Sequence, residues 1–346
     1  MSKLTKALTA AAGNAGSDPL YVEDVFSTYL YTGTGAAQTI TNGIDLDGEG
    51  GLVWVKGRNV GSNHYQADTE RGNTKYLASN STTANMTFTD AITAFTGDGF
   101  TLGSDAAAGD INGSGYNMAS WTFRKAKKFF DVQTYTGNGS DQDISHNLGS
   151  TPGFVIIKAT STTGNWSCWH SALNATSRNY ILLNDTSQAG GNTVRDVNSS
   201  TFEVYGNYPD EGSNGVSYVA YLFASDAGGF GDDGSESIIK CGSYTGNGAT
   251  GQEINLGFEA QWVLVKSSTN SNSWYIVDLM RGMSYGGFNT LSPNSSAAEV
   301  DLSGLNRITP TATGFSLNGD WSGNENGWGY IYIAIRRPMK TPESGT

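Results

Sequence analysis

The chain has 346 residues, 46 of them glycine, with 15% charged side chains and a formal net charge of −12. That length holds two or three buried cores, and a 37% apolar share argues against disorder. The negative field excludes general binding to nucleic acid or an anionic membrane, and no apolar run reaches the roughly 18–20 residues that span a bilayer.

The first stretch, MSKLTKALTAAAG, has two lysines and small residues but an apolar centre too short for a signal peptide, so synthesis and folding in a cytoplasm are expected. Residues 1–12 can form a short helix, which Ser17-Asp18-Pro19 breaks. Residues 1–24 have no core of their own and read as a short N-terminal arm. Its apolar side chains Leu4, Leu8, Leu20 and Tyr21 are the expected docking contacts on a neighbouring subunit, ordered on binding.

From Tyr31 onward the chain repeats itself. YTGTG begins at Tyr31, and YTGNG begins at Tyr135 and again at Tyr244. Each is followed by Gln-x-Ile, starting at Gln38, Gln142 and Gln252, and then by a short apolar run closed by lysine: LVWVK at Lys56, FVIIK at Lys158 and WVLVK at Lys266. Such runs read as strands buried on both faces, with the lysine marking the exit from the core. Next come Asn63-His64, Asn165-Trp166 and Ser273-Trp274. A strand opening on Phe100, Phe202 or Phe315 follows, and an Asn-Gly or Gly-rich turn then leads into an aromatic strand around Tyr116, Tyr218 or Tyr330.

Shared landmarks at domain-sized spacing predict an all-β chain of three tandem antiparallel β-sandwich repeats, sandwich or jelly roll, at 25–126, 129–224 and 236–338, with a tail at 339–346. Each repeat is expected to hold seven to ten strands. The joins are the basic RKAKK from Arg124 and the Gly/Asp/Ser-rich stretch 224–237, the second expected to be the looser.

Chemistry is sparse in this pattern. His64, His146 and His170 share no catalytic or metal spacing. Cys168 and His170 would share a strand face without an orienting partner, and Cys168 and Cys241 lie in different repeats, so neither a dyad nor a disulfide is expected. Asp45, Asp47 and Glu49 form the one tight acidic turn that could offer oxygens to calcium; it lacks the twelve-residue loop and is not repeated, so a solvated turn and no cofactor are expected. Asp68…Arg71 is echoed by Asp278…Arg281 and reads as a surface ion pair or a repeated structural bracket. Tyr208, Trp321 and Trp328 stand beside glycine turns and are the candidates to stack on sugar rings, with packing over their own core as the competing expectation.

The stretch DPLYVEDVFSTYLYTGTGAAQTITNGIDLDGEGGLVWVKGR, residues 18–58, resembles virion structural proteins of marine tailed bacteriophages of cyanophage and pelagiphage type, tail-fibre-like proteins with lectin-like β-sandwich repeats. The resemblance implies a non-enzymatic virion protein, a tail fibre or tail-associated appendage that docks by its N-terminus on other tail or capsid subunits and contacts a host surface glycan. Two alternatives are a capsid or tail decoration protein without receptor binding and a tailspike-type glycan hydrolase. It also implies a virion location after synthesis in the host cytoplasm. A homo-oligomer is expected, a trimer by the habit of tail fibres, although the heptads of a trimeric stalk are absent.

Overall fold

The computed structural model describes residues 18–340 apart from 107–109, 174–179, 192, 207, 285–286 and 303. The first segment supplies β1 (Phe26–Thr32), β2 (Gln38–Thr41), β3 (Gly51–Gly57), β4 (Tyr65–Asp68), β5 (Lys75–Ala78), β6 (Met86–Thr87), β7 (Ile92–Thr96), β8 (Gly99–Leu102) and β9 (Asn117–Arg124). The second supplies β10 (Phe130–Thr136), β11 (Gln142–Ser145), β12 (Pro152–Ala159), β13 (Trp166–His170), β14 (Tyr180–Leu182), β15 (Thr201–Val204) and β16 (Ser217–Ala224). The third supplies β17 (Ile239–Thr245), β18 (Gln252–Asn255), β19 (Ala260–Ser267), β20 (Trp274–Asp278), β21 (Asn289–Thr290), β22 (Val300–Asp301), β23 (Ile308–Thr311), β24 (Gly314–Leu317) and β25 (Gly329–Arg336). The fold is all-β, and the helical elements among the described residues are single 3₁₀ turns.

Each segment pairs its opening strand with its closing strand, and the closing strand with the lysine-ended apolar run. The large sheets run β1-β9-β3-β4-β5-β6, β10-β16-β12-β13-β14 and β17-β25-β19-β20, and a smaller sheet accompanies each: β2-β8-β7, β11-β15 and β18-β24-β23. The pairings are antiparallel, as in Tyr31↔Met118, Tyr135↔Tyr218 and Tyr244↔Tyr330.

The apolar runs are continuous because both faces of each large sheet are covered. In β3, Leu52 and Trp54 point into a core shared by all three segments, whereas Val53 and Val55 pack with Ile40 and Phe100 of the small sheet. In β19, Trp262 and Leu264 enter the shared core, and Val263 and Val265 pack with Ile254 and Phe315. At the centre, Phe26 lies 6.1 Å from Trp262, Phe123 5.6 Å from Phe223 and Phe154 6.2 Å from Trp274, ring centre to ring centre. The core therefore runs across the boundaries at 126/129 and 224/236.

Two local expectations are corrected. Lys56, Lys158 and Lys266 do not mark an exit, for all three are fully buried. The second connector is not a loose hinge. Phe230 is buried against Phe129 at 6.4 Å, its backbone bridges to Glu236, and Gly231 N–H donates to the Leu20 carbonyl.

Three seams close the segments on one another, and each is built from the same pair of backbone hydrogen bonds. At the first–second seam, Gly164 N–H donates to Thr82 O at 3.0 Å and Asn85 N–H to Thr160 O at 2.9 Å. At the second–third seam, Asn272 N–H donates to Thr186 O at 2.7 Å and Ala189 N–H to Ser268 O at 2.9 Å. At the third–first seam, Ser62 N–H donates to Ser296 O at 2.9 Å and Glu299 N–H to Arg58 O at 2.7 Å. The partners occupy matching places relative to Lys56, Lys158 and Lys266, so the arrangement is cyclic.

Because all three closing strands end beside the connectors, the body has two unlike ends. The base gathers the turn at Val22–Asp24, both connectors and the stretch 337–340, where Glu23 accepts from the backbone N–H groups of Met339 at 2.8 Å and Lys340 at 2.7 Å. The tip carries the three Gly-x-Gly turns.

Candidate functional site

At the tip, each motif tyrosine crosses to the loop before the closing strand. Tyr31 donates to Ile111 O at 2.6 Å, Tyr135 to Glu211 O at 2.7 Å and Tyr244 to Gly323 O at 2.6 Å, and burial pushes each phenol well above its ordinary pKa. The first motif glycine is required by close approach: a Cβ on Gly33, Gly137 or Gly246 would lie 2.2, 2.4 or 2.4 Å from a facing carbonyl oxygen. The second is required by backbone shape, with φ of +65° at Gly35, +76° at Gly139 and +65° at Gly248. The motif is thus a clasp between two loops.

The sequence candidates do not converge. Trp321 is sandwiched edge-on by Phe288 at 5.0 Å and Tyr275 at 5.5 Å, and Trp328 packs on the same third-segment core; both serve as cover. Tyr208, in the second segment, is 41% exposed, with its ring tilted against Tyr205 at 5.9 Å. In the acidic turn, Asp45 accepts from Gly48 N–H at 2.7 Å and Glu49 turns to Arg124 at 3.0 Å; among the described residues no group of three or more His, Cys, Asp or Glu side chains is arranged to hold a metal ion. Leu4 and Leu8 lie outside the described residues. Leu20 packs on the shared core, and Tyr21 is hydrogen-bonded to Asp232 with the Lys340 ammonium 5.6 Å from its ring; both are half-buried and have duties within the chain.

The candidate dyad is likewise taken up by packing. Cys168 is buried with its thiol pushed well up, and burial lowers His170 to about 4. The His170 ring accepts from Ala172 N–H through Nδ1 at 3.1 Å and meets the Tyr332 carbonyl through Nε2 at 3.1 Å, which assigns the proton to Nε2.

The Asp/Arg echo belongs to the seams and is buried rather than superficial. Arg71 pairs with Asp68 at 2.6 Å, and Asp68 accepts from Tyr221 of the second segment at 2.8 Å. Arg281 pairs with Asp278 at 2.7 Å, and Asp278 accepts from Trp121 of the first segment at 3.0 Å. His170 holds the matching place at the remaining seam. These reciprocal contacts were hidden in the sequence because each joins side chains about 150 residues apart.

The base holds a cleft of about 550 Å³ where residues 18–20 enter the body, lined by Glu49, Arg124, Lys125, Lys127, Lys128 and Asp232. Arg124 and Lys125 are paired, the latter with Glu70 at 2.5 Å, and Lys128 takes a left-handed φ of +65° that lets its N–H reach Leu148 O at 2.6 Å. The wall of this cleft thus carries charges of both signs.

Residues 22–338 match a family described as a domain of unknown function, DUF7483, and the chain belongs to that family. The match is a single span across all three segments, in keeping with their shared core. No curated protein matches the chain. Among solved structures, the STIV MCP aligns at 11% identity over 60% of this chain and 87% of that one, with a TM-score of 0.18, too low to establish a common fold.

Proposed function

We propose that the chain is a non-enzymatic structural protein of a virion, a tail-associated appendage of tail-fibre type made of three fused β-sandwich units and anchored by its base. The observation that carries this reading is the polarity of the body: residues 18–24, both connectors and residues 337–340 share one end, and the three clasped turns share the other. Such a body holds its tip away from whatever its base is fixed to. The resemblance of residues 18–58 to marine-phage virion proteins supports the particle context. The candidate catalytic groups have structural duties, which supports a role without chemistry.

Partners on this reading are other tail or capsid subunits at the base and a host glycan further out. The cyclic closure supplies within one chain the three-part arrangement that a fibre otherwise builds from separate copies. The test is direct: tagged chain is located in particle density, and a variant lacking residues 1–17 is followed into particles. That deletion spares Leu20 and Tyr21, which serve the fold. Tail-associated density with loss of incorporation is expected. Density spread over the capsid shell assigns the decoration role instead, and absence from particles overturns the reading.

A further inference from the structure

The three segments share one frame, and one place in it is filled differently each time. In the first segment Tyr76 is fully buried, with Phe88 5.2 Å from its ring and its hydroxyl accepting from Ile92 N–H at 2.6 Å. In the third, the corresponding edge is closed by Phe288 and Trp321. In the second, the residue that matches Tyr76 is Tyr180, only half-buried, and beside it lies an open cavity of about 310 Å³. Its wall includes Tyr180, Ile181, Leu182, Gln188 and Gly190, and Tyr208 stands at its rim.

The wall has a definite chemistry. Two tyrosine rings and the half-buried Leu182 give apolar contact, while the exposed Gln188 places an amide at the edge. The Tyr180 hydroxyl is fixed by Asp210 Oδ2 at 3.3 Å, and Asp210 is itself held by the backbone N–H of Asn165 at 2.7 Å. Aromatic faces beside the Gln188 amide and the Asp210-held Tyr180 hydroxyl suit a ring with an apolar C–H face and a rim of hydroxyls. The Asp210 carboxylate behind the Tyr180 hydroxyl and the chain's net charge of −12 select against an anionic sugar.

We propose that this cavity binds one pyranose ring of a neutral glycan, with Tyr208 stacking on the sugar and the Tyr180 edge orienting it. The proposal rests on the reading of the chain as an outward-facing appendage, and it places the contact on the flank of the second segment.

The test uses the full chain, titrated with methyl glucoside, methyl galactoside, N-acetylglucosamine and galacturonate and followed by amide and aromatic NMR shifts. Saturable shifts at Tyr180 and Tyr208 with a Kd of about 1 mM for at least one neutral sugar are expected. Tyr208→Ala should weaken that binding about tenfold or more at an unchanged melting temperature, and Gly190→Leu, which fills the cavity, should abolish it. The proposal is overturned by no saturation up to about 100 mM of any neutral sugar, by equal affinity in Tyr208→Ala, or by tighter binding of galacturonate. If the chain is found in particles but binds no sugar, the cavity proposal fails alone. If it binds sugar but is absent from particles, the virion reading fails alone.

Discussion

The seam between the third and first segments differs from the other two in what holds it. At the first–second and second–third seams a tryptophan reaches across: Trp166 Nε1–H donates to Ala78 O at 2.9 Å, and Trp274 Nε1–H to Leu182 O at 2.8 Å. At the third–first seam the same place holds His64, which accepts from Trp54 at 3.1 Å and is kept neutral by burial. The buried Asp/Arg pair that the first–second seam also carries recurs there and is extended into a chain of charges. Arg58 meets Glu299 at 2.8 Å, Glu299 meets Arg281 at 3.2 Å, and Arg281 meets Asp278 while lying 5.1 Å from the Trp121 ring. The first two seams join segments that are consecutive in the chain, so a short connector keeps their faces at high local concentration. The third joins the first segment to the last with no such tether. Directional, geometrically demanding pairs are what fix register where the backbone does not.

The comparison breaks most visibly through the tryptophans. Trp274→Ala should cost about 4 kcal/mol, since it opens a cavity and orphans the Leu182 carbonyl. His64→Ala, at the seam where charge substitutes for the indole, should cost about half as much by urea unfolding. Equal costs would mean that the seams are built alike.

A second test attacks the charged seam itself. Asp278→Ala should cost about 3 kcal/mol, because buried Arg281 loses its partner and the Trp121 N–H loses its acceptor. Adding Arg281→Met to that variant should restore part of the stability, since an apolar side chain of similar length needs no counter-charge. A double variant worse than the single one would show that the guanidinium holds the seam without Asp278.

The tip clasp provides the internal control, because it is the same in all three segments. Tyr31→Phe, Tyr135→Phe and Tyr244→Phe each remove one hydroxyl donor from a loop carbonyl and should each cost about 1 kcal/mol. A spread much wider than the measurement error would mean that the clasps are not equivalent.

The strands were largely legible in the sequence and the seams were not. The Y-T-G-x-G turn, the Gln-x-Ile strand and the apolar run declare themselves through spacing and alternation, which are local properties. A lysine after an apolar run ordinarily signals solvent, yet Lys158 and Lys266 are capped by the neighbouring segment from about 80 residues away at Thr82 and Thr186, and Lys56 by the turn that follows it at Val60 and Ser62. The Asp/Arg echo was visible, but its partners Tyr221 and Trp121 had no sequence signal. Trp321 looked like a binding residue because it follows a glycine-rich turn, and Phe288 and Tyr275 take up its ring. Tyr208 was picked out for the same reason and does stand exposed, yet the cavity beside it is readable only by comparing the three segments in space.

The smallest effect separates the seams by proton. Lys158 donates to Ala159 O at 2.8 Å and across its seam to Thr82 O at 3.2 Å, and Lys266 to Ser267 O at 3.0 Å and Thr186 O at 3.1 Å. Lys56, at the charged seam, stays within its own segment on Gly57 O at 2.7 Å, Val60 O and Ser62 Oγ. Desolvation lowers all three from 10.5 to about 8. A lysine whose folded pKa is depressed binds fewer protons in the folded than in the unfolded chain between those values, so each lysine's contribution to stability should rise as pH climbs from about 8 toward 10.5, while the buried cysteines and tyrosines, whose pKa values burial raises, contribute a loss over the upper part of that range. By pH 9 the gain should be about 1 kcal/mol per lysine. At pH 7 the ammonium is charged in both states and its burial cost is offset by its two carbonyls, so Lys266→Met should change stability by less than about 1 kcal/mol. In that variant the alkaline rise should shrink by one lysine's share. If Lys266→Met leaves the rise intact while Lys56→Met removes it, the titrating group belongs to the charged seam, and the crossing lysines are held protonated by the carbonyls they bridge.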